Sequence, residues 1–187
     1  MTEFPDHPFW DFSLRVYMSP GVGAACVELQ EAHQLDVNIL LFCCWVGASG
    51  RGAMTRDDMA AATGAVARWH EEVVRPLRAV RTGMKGGMPP APDALAESLR
   101  RRIQKTEIDC EHTEQLMLAA TAGDRADAAR AAELRAEDAA ANIGLYFQAL
   151  GRSPGDADRK NCAVVLGVAF ADVAGARIAE TCRGIRG

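Results

Sequence analysis

The sequence lacks most of the patterns that announce a function. It has no C-x-x-C pair, no G-x-S-x-G, and no glycine loop that ends in Lys-Ser or Lys-Thr. No window shows strand-like alternation, so nothing would carry a nucleophile elbow or a phosphate loop of the Walker type. There is no internal repeat and no sustained heptad. The longest apolar run, 39–47, is too short to span a bilayer. Residues 1–8 hold two acids and no lysine or arginine, so they cannot act as the basic region of a signal peptide. The expectation is a reduced, cytoplasmic protein with no membrane association and no cofactor.

What remains is an ordinary globular composition: 187 residues, 49% hydrophobic, 25% charged, net charge -4. That excludes collagen-like, coiled-fibre and wholly disordered classes. A chain of this length buries roughly 70% of its unfolded surface and needs no disulfide or metal staple. Its six cysteines, Cys26, Cys43, Cys44, Cys110, Cys162 and Cys182, read as small hydrophobes rather than bridges.

With 34 alanines the chain reads helical almost throughout. The expected fold is all-α: one compact bundle of about six to seven helices over 1–187, with a flexible Gly/Pro linker at 83–93. Phe9 to Tyr17 forms a short aromatic helix. Ser19 and Pro20 cap and start a second, which runs to His33. Asp36 caps a third, whose segment 37–46 is apolar on every face and therefore central. Thr55 and Asp58 suggest a capping box for a long helix ending near Met84. Its apolar stripe is Val66, Trp69, Val73, Leu77, Val80 and Met84, and Pro76 should kink it near Glu72. A fifth helix, 94–122, turns Leu99, Ile103, Thr106, Cys110, Thr113 and Met117 inward. A sixth, capped by Asp124, runs to Leu150 with Ala128, Ala132, Ala139, Ile143, Tyr146 and Leu150 facing in. These two suggest a C-terminal antiparallel hairpin. A last apolar helix spans 160–173, and the tail after Gly175 is expected to fray.

Charge is uneven. Residues 68–105 hold nine cations against four acids, a net +5, which leaves -9 elsewhere. Arg68, Arg75, Arg78, Arg81, Lys85, Arg100, Arg101, Arg102 and Lys105 form a candidate patch for an anion or a partner, since guanidinium groups bind phosphate and carboxylate in a fork. Apart from Trp69, which falls on the apolar stripe, no aromatic residue is interleaved with them, which argues against base stacking. The alternative is a solvated face paired with Glu71, Glu72 and Glu97.

For metal, Asp109 and His112 are the weak candidates, in a carboxylate-x-x-His spacing with no second copy; no metal site is expected. A candidate pocket, or a set of packing polar groups, comprises Trp10, Asp11, Tyr17, Asp36, Asn38, Trp45 and Trp69. Asn38 and Asn142 would each need hydrogen bonds if buried, whether in packing or at a pocket wall.

Phe9-Trp10-Asp11-Phe12-Ser13-Leu14, Tyr17, Gly21-Val22, Asp36-Val37-Asn38, Leu40-Leu41-Phe42 and Trp45 make a distinctive pattern. Trp69, Val73-Val74, Pro76-Leu77-Arg78 and Lys85 extend it. The pattern resembles a family of small proteobacterial proteins known as a domain of unknown function, from about Phe9 to Ala120 and more loosely over 142–151. The resemblance implies a cytosolic bacterial protein with a protein partner and supplies no catalytic residue. Three readings are open: a non-enzymatic interaction or adaptor protein with an unidentified partner; a small-molecule binder or enzyme with a site between the N-terminal helices; and an RNA-associated factor using the basic 68–105 segment. With no catalytic constellation in view, the reading leans away from an enzyme. No feature of the sequence encodes the oligomeric state.

Overall fold

Apolar residues at spacings of three and four demand helices, and helices form. The computed structural model describes residues 4–124, 126–127 and 129–187. All regular structure among them is helical: α1 (Pro8–Tyr17), α2 (Val22–His33), α3 (Val37–Ala48), α4 (Arg56–Trp69), α5 (Arg75–Gly83), α6 (Asp93–Ala119), α7 (Ala132–Ala149), α8 (Asp156–Ala169) and α9 (Gly175–Arg183). A π-helical turn, His70–Val74, joins α4 to α5. Among the described residues no helix is long and apolar enough to cross a membrane.

The core is built around α3. Asp36 caps it by accepting from the Asn38 backbone N–H at 2.8 Å, and every residue from Asn38 to Gly47 is buried. A helix with no polar side must be enclosed by others. Helices α7, α6, α1, α8 and α2 all pack on it. The backbones of α3 and α7 come close at Gly47, where an added Cβ would lie 2.6 Å from the Arg135 carbonyl oxygen and 2.7 Å from the Ala139 nitrogen, both on α7. The two helices expected as a hairpin therefore have different main neighbours: α7 takes α3, while α6 takes α4 and α5. At the C-terminal end it is α8 and α9 that pair.

Several expectations need correction. Ser19 does not cap α2. Its hydroxyl donates to the Arg15 carbonyl at 2.9 Å, and Gly21, at φ 83°, is the N-cap. Helix α7 begins at Ala132, not after Asp124; Ala128, placed on its inner face, lies outside the described residues. The tail after Gly175 forms α9, because Ile178, Cys182 and Ile185 are buried against the core.

The long fourth helix keeps its Thr55–Asp58 capping box, and Pro76 reshapes its middle. Proline offers no N–H to the Glu72 carbonyl four residues back. The backbone widens instead, and the Arg75 N–H reaches the His70 carbonyl, five residues back. The extra residue rotates the remainder of the rod. Val74 rather than Val73 is fully buried, and Val80, expected inside, is 52% exposed.

Helix α6 departs furthest from expectation. Leu99 is 49% exposed and Thr106 is at the surface, while Glu107, His112, Glu114 and Gln115 are buried beside Ala96 and Leu118. A buried polar face is tolerable only where each group finds a partner. Glu107 is held by Arg78, at 3.1 Å, and by Arg81. Glu114 and Gln115 find theirs on α3 and the π turn.

Candidate functional site

Three segments distant in sequence bring ionisable side chains to one point. The N-cap of α3 supplies Asp36, the π turn supplies His70, and the inner face of α6 supplies Glu114. His70 Nδ1 lies 3.0 Å from Asp36 Oδ2 and 3.1 Å from Glu114 Oε1. The three atoms all fall within 4.8 Å of one another.

Each carboxylate commits one oxygen to the scaffold and turns the other to the centre. Asp36 Oδ1 caps α3. Glu114 Oε2 accepts from the Asn38 side-chain amide at 2.6 Å, and Asn38 Oδ1 accepts from the Gln115 side-chain amide at 2.9 Å. Tyr146, from α7, accepts the Asp36 backbone N–H on its hydroxyl at 2.8 Å. The polar residues Asn38, Gln115 and Tyr146 thus fix the orientation of the charged three.

Burial disfavours an imidazolium, but the two carboxylates of Asp36 and Glu114 beside it outweigh that cost and lift His70 to about 10. Burial raises Glu114, with the Asp36 charge adding to the shift. Burial likewise pushes the Tyr146 hydroxyl well above its ordinary value. His70 Nδ1 carries at most one hydrogen, and of the two carboxylates it is Glu114 whose oxygen meets hydrogen-bond geometry with it. Asp36 Oδ2 is left with no hydrogen bond, although its side chain is only 6% exposed.

Asp36 and His70 face a cleft of about 500 Å³ between α2, the α4–α5 rod and α7, with Glu114 fully buried behind them. Asp36, His70 and Tyr146 lie on its wall with Leu35, Ile39 and Val66. A larger depression of about 830 Å³, beside α4 and the end of α7, contains Arg56, Met59, Gln148 and Arg152 but no buried ionisable group. Only the first joins concavity to convergent buried polar groups, the usual mark of a ligand site.

Of the pocket residues expected from the sequence, Asp36 and Asn38 meet here and the others do not. Trp10 stacks on His112 at 4.1 Å. Trp45 packs on Phe9 and lies under the Arg51 guanidinium. Trp69 anchors α4 to α6 through a 3.0 Å bond from its indole N–H to the Cys110 carbonyl. Asp11 and Tyr17 are exposed. Asp109 and His112 belong to no cluster of metal-ligating groups among the described residues. Asn142 is buried on α7 and bonds the Met54 N–H at 2.7 Å, tying the segment after α3 in place.

Six of the nine cations in the basic patch have carboxylate partners: Arg68 with Glu72, Arg75 with Glu71, Arg78 with Glu107 and Glu111, Arg81 with Glu107, and Arg100 and Arg101 with Glu97. Lys85, Arg102 and Lys105 make no ion pair with described residues.

Sequence reasoning misses His70, Glu114 and Tyr146 as site residues. The available signals are Pro76, which forces the wide turn holding His70, and the helical spacing of Glu107, Glu111, Glu114, Gln115 and Leu118.

No curated protein and no solved structure matches the chain. One family model, described as a protein of unknown function (DUF2390), matches residues 8–118, a span that holds α1 to α5 and nearly all of α6, with Asp36, His70 and Glu114 among them. That match covers more than half of the sequence and agrees with the resemblance carried by its N-terminal motifs: the chain belongs to the DUF2390 family.

Proposed function

We propose that this protein binds a small polar molecule in the cleft between α2, the α4–α5 rod and α7. The observation that carries the reading is the convergence of buried Asp36 and Tyr146 with the partly buried His70 on the wall of that cleft. Buried charge that adds nothing to packing is costly to keep. A polar ligand makes use of it, because preoriented acceptors and an imidazole recognise hydrogen-bonding groups without further ordering. Leu35, Ile39 and Val66 supply the apolar contact that a ligand of this size needs.

Ala67 stands exposed at the same cleft, so tryptophan there (A67W) fills the opening without entering the core. The test is thermal unfolding in the presence of a low-mass extract from bacterial cells. The wild type should gain stability and A67W should gain none. Equal behaviour of the two proteins would reject the cleft.

The interaction reading keeps one supporting observation. Val80, Met88, Leu95 and Leu99 are each about half exposed or more, and all fall within 80–99. An adaptor surface on this arm would be disabled by the double variant L95E/L99E, with A67W unaffected. Capture of the same bound proteins by L95E/L99E and by the wild type would reject it. The RNA reading gains nothing, because most of its cations already have partners.

A further inference from the structure

We propose that Asp36, His70 and Glu114 hold a divalent transition-metal ion, of the class of Mn²⁺, Fe²⁺ or Zn²⁺, at the wall of the cleft. This rests on the cleft reading and names the ion through which the cleft would bind its ligand.

Three observations carry it. The first is spacing. Ligand atoms around an ion at about 2.1 Å sit roughly 3.0–3.4 Å apart along the edges of their polyhedron. His70 Nδ1 is 3.0 Å from Asp36 Oδ2 and 3.1 Å from Glu114 Oε1.

The second is the unpartnered oxygen. Asp36 Oδ2 is buried, points into the cluster, and receives no hydrogen. One imidazole N–H cannot serve two carboxylates, whereas an ion serves both. Charge makes the same point. An imidazolium with two carboxylates leaves a buried net charge of about -1 when each carries its full unit. A divalent ion with a neutral imidazole and the same carboxylates leaves none. Binding would release the imidazole proton to solvent, and Nδ1 would then donate its lone pair.

The third is the surrounding support. Asn38 holds Glu114 by its other oxygen, Gln115 holds Asn38, and the Asn38 N–H holds Asp36. This is how proteins orient metal ligands from outside the coordination sphere. One nitrogen and two carboxylate oxygens suit borderline and harder divalent ions over soft ones. Three protein ligands leave further positions open toward the cleft, where water or a ligand oxygen can bind. The π turn, a feature often kept at functional sites, is what places His70 in reach.

The test starts from chelator-treated wild-type protein titrated with Mn²⁺ and, separately, Zn²⁺, with bound metal measured by elemental analysis after gel filtration. One ion per chain is expected. D36N and E114Q should each weaken binding at least about 100-fold, and N38A about 10–100-fold. D109N, on the outer part of α6, should bind as the wild type does. In case the buried variants fail to fold, paramagnetic Mn²⁺ is added to the isotope-labelled wild type, where the backbone signals of Asp36, Asn38, His70 and Glu114 should broaden first.

No bound ion, binding unchanged in folded D36N and E114Q, or broadening centred elsewhere would overturn the proposal. The cleft reading fails separately. If the chelated protein still shows extract-dependent stabilisation that A67W abolishes, the cleft stands without the ion. If the ion binds but A67W changes nothing, the ion stands without the cleft.

Discussion

Leucine in place of His70 (H70L) removes the cation that lies between two buried carboxylates. Asp36 Oδ2 and Glu114 Oε1 lie within 4.8 Å of each other. At an effective dielectric of about 20, two charges at that separation repel by roughly 3.5 kcal/mol. Protonating Glu114 relieves the repulsion, and burial, which raises this carboxyl to about 7, makes that cheap at neutral pH but costs about 3 kcal/mol at pH 9, where His70 still carries its proton in the wild type. At pH 9 the metal-free H70L protein should therefore lose about 3 kcal/mol, the usual scale for stranding a buried charge. E114Q removes one of the two anions and leaves the imidazolium paired with Asp36; its expected loss is about 1 kcal/mol. In H70L/E114Q the repulsion is gone, so the double variant should fall short of the summed losses by about 2–3 kcal/mol. The assay is urea unfolding of all four proteins in chelator at pH 9, followed by circular dichroism. With a slope of about 2–3 kcal/mol per molar urea, the H70L midpoint drops by more than about 1 M. Losses additive within about 0.5 kcal/mol would show that the three groups do not act as a unit, and would refute the reasoning.

Three other perturbations probe the packing. G47A forces a methyl group against the α7 backbone, at 2.6 Å from the Arg135 carbonyl and 2.7 Å from the Ala139 nitrogen; urea unfolding should show a loss of about 1–3 kcal/mol, and an unchanged midpoint would contradict the α3–α7 contact. N142A removes the 2.7 Å acceptor of the Met54 N–H and empties a fully buried site; about 2–4 kcal/mol should be lost, with metal and ligand binding retained if Asn142 serves packing alone. A thiol reagent should modify Cys110 first, since Cys26, Cys43, Cys44, Cys162 and Cys182 are buried free thiols whose ionisation burial opposes; fast reaction of several thiols in the folded protein would contradict the packing.

The features legible in the sequence are local ones. Asp36 before an apolar run, and Thr55 three residues before Asp58, are cap signals contained within a single turn, and both hold. The burial of 37–46 comes from its lack of any polar face. Asn38 stands out because an amide within such a segment must be bonded, although the sequence cannot name its partners, 76 and 77 residues away. His70 is hidden for two reasons. It sits in a helix whose phase is reset by the π turn, so that a regular period puts Val73 inside where Val74 is. Its partner Glu114 lies on α6, where the apolar stripe through Leu99, Ile103 and Cys110 outscores the polar stripe that is in fact buried. Periodicity rewards apolar residues and cannot credit a polar face whose partners come from other helices. The basic segment misleads in the converse way: its charge excess is visible in the sequence, but its pairing with Glu107 and Glu111 exists only once α5 and α6 pack together.

Whether the cleft beside Asp36, His70 and Tyr146 takes up a ligand can be read from a backbone NMR spectrum of the isotope-labelled protein, recorded before and after addition of a low-mass bacterial extract. Shifts should concentrate at Leu35, Asp36, Ile39, Ala67, His70 and Tyr146, and A67W should abolish them. An unchanged spectrum, or shifts gathered on the 80–105 arm, would contradict binding at the cleft.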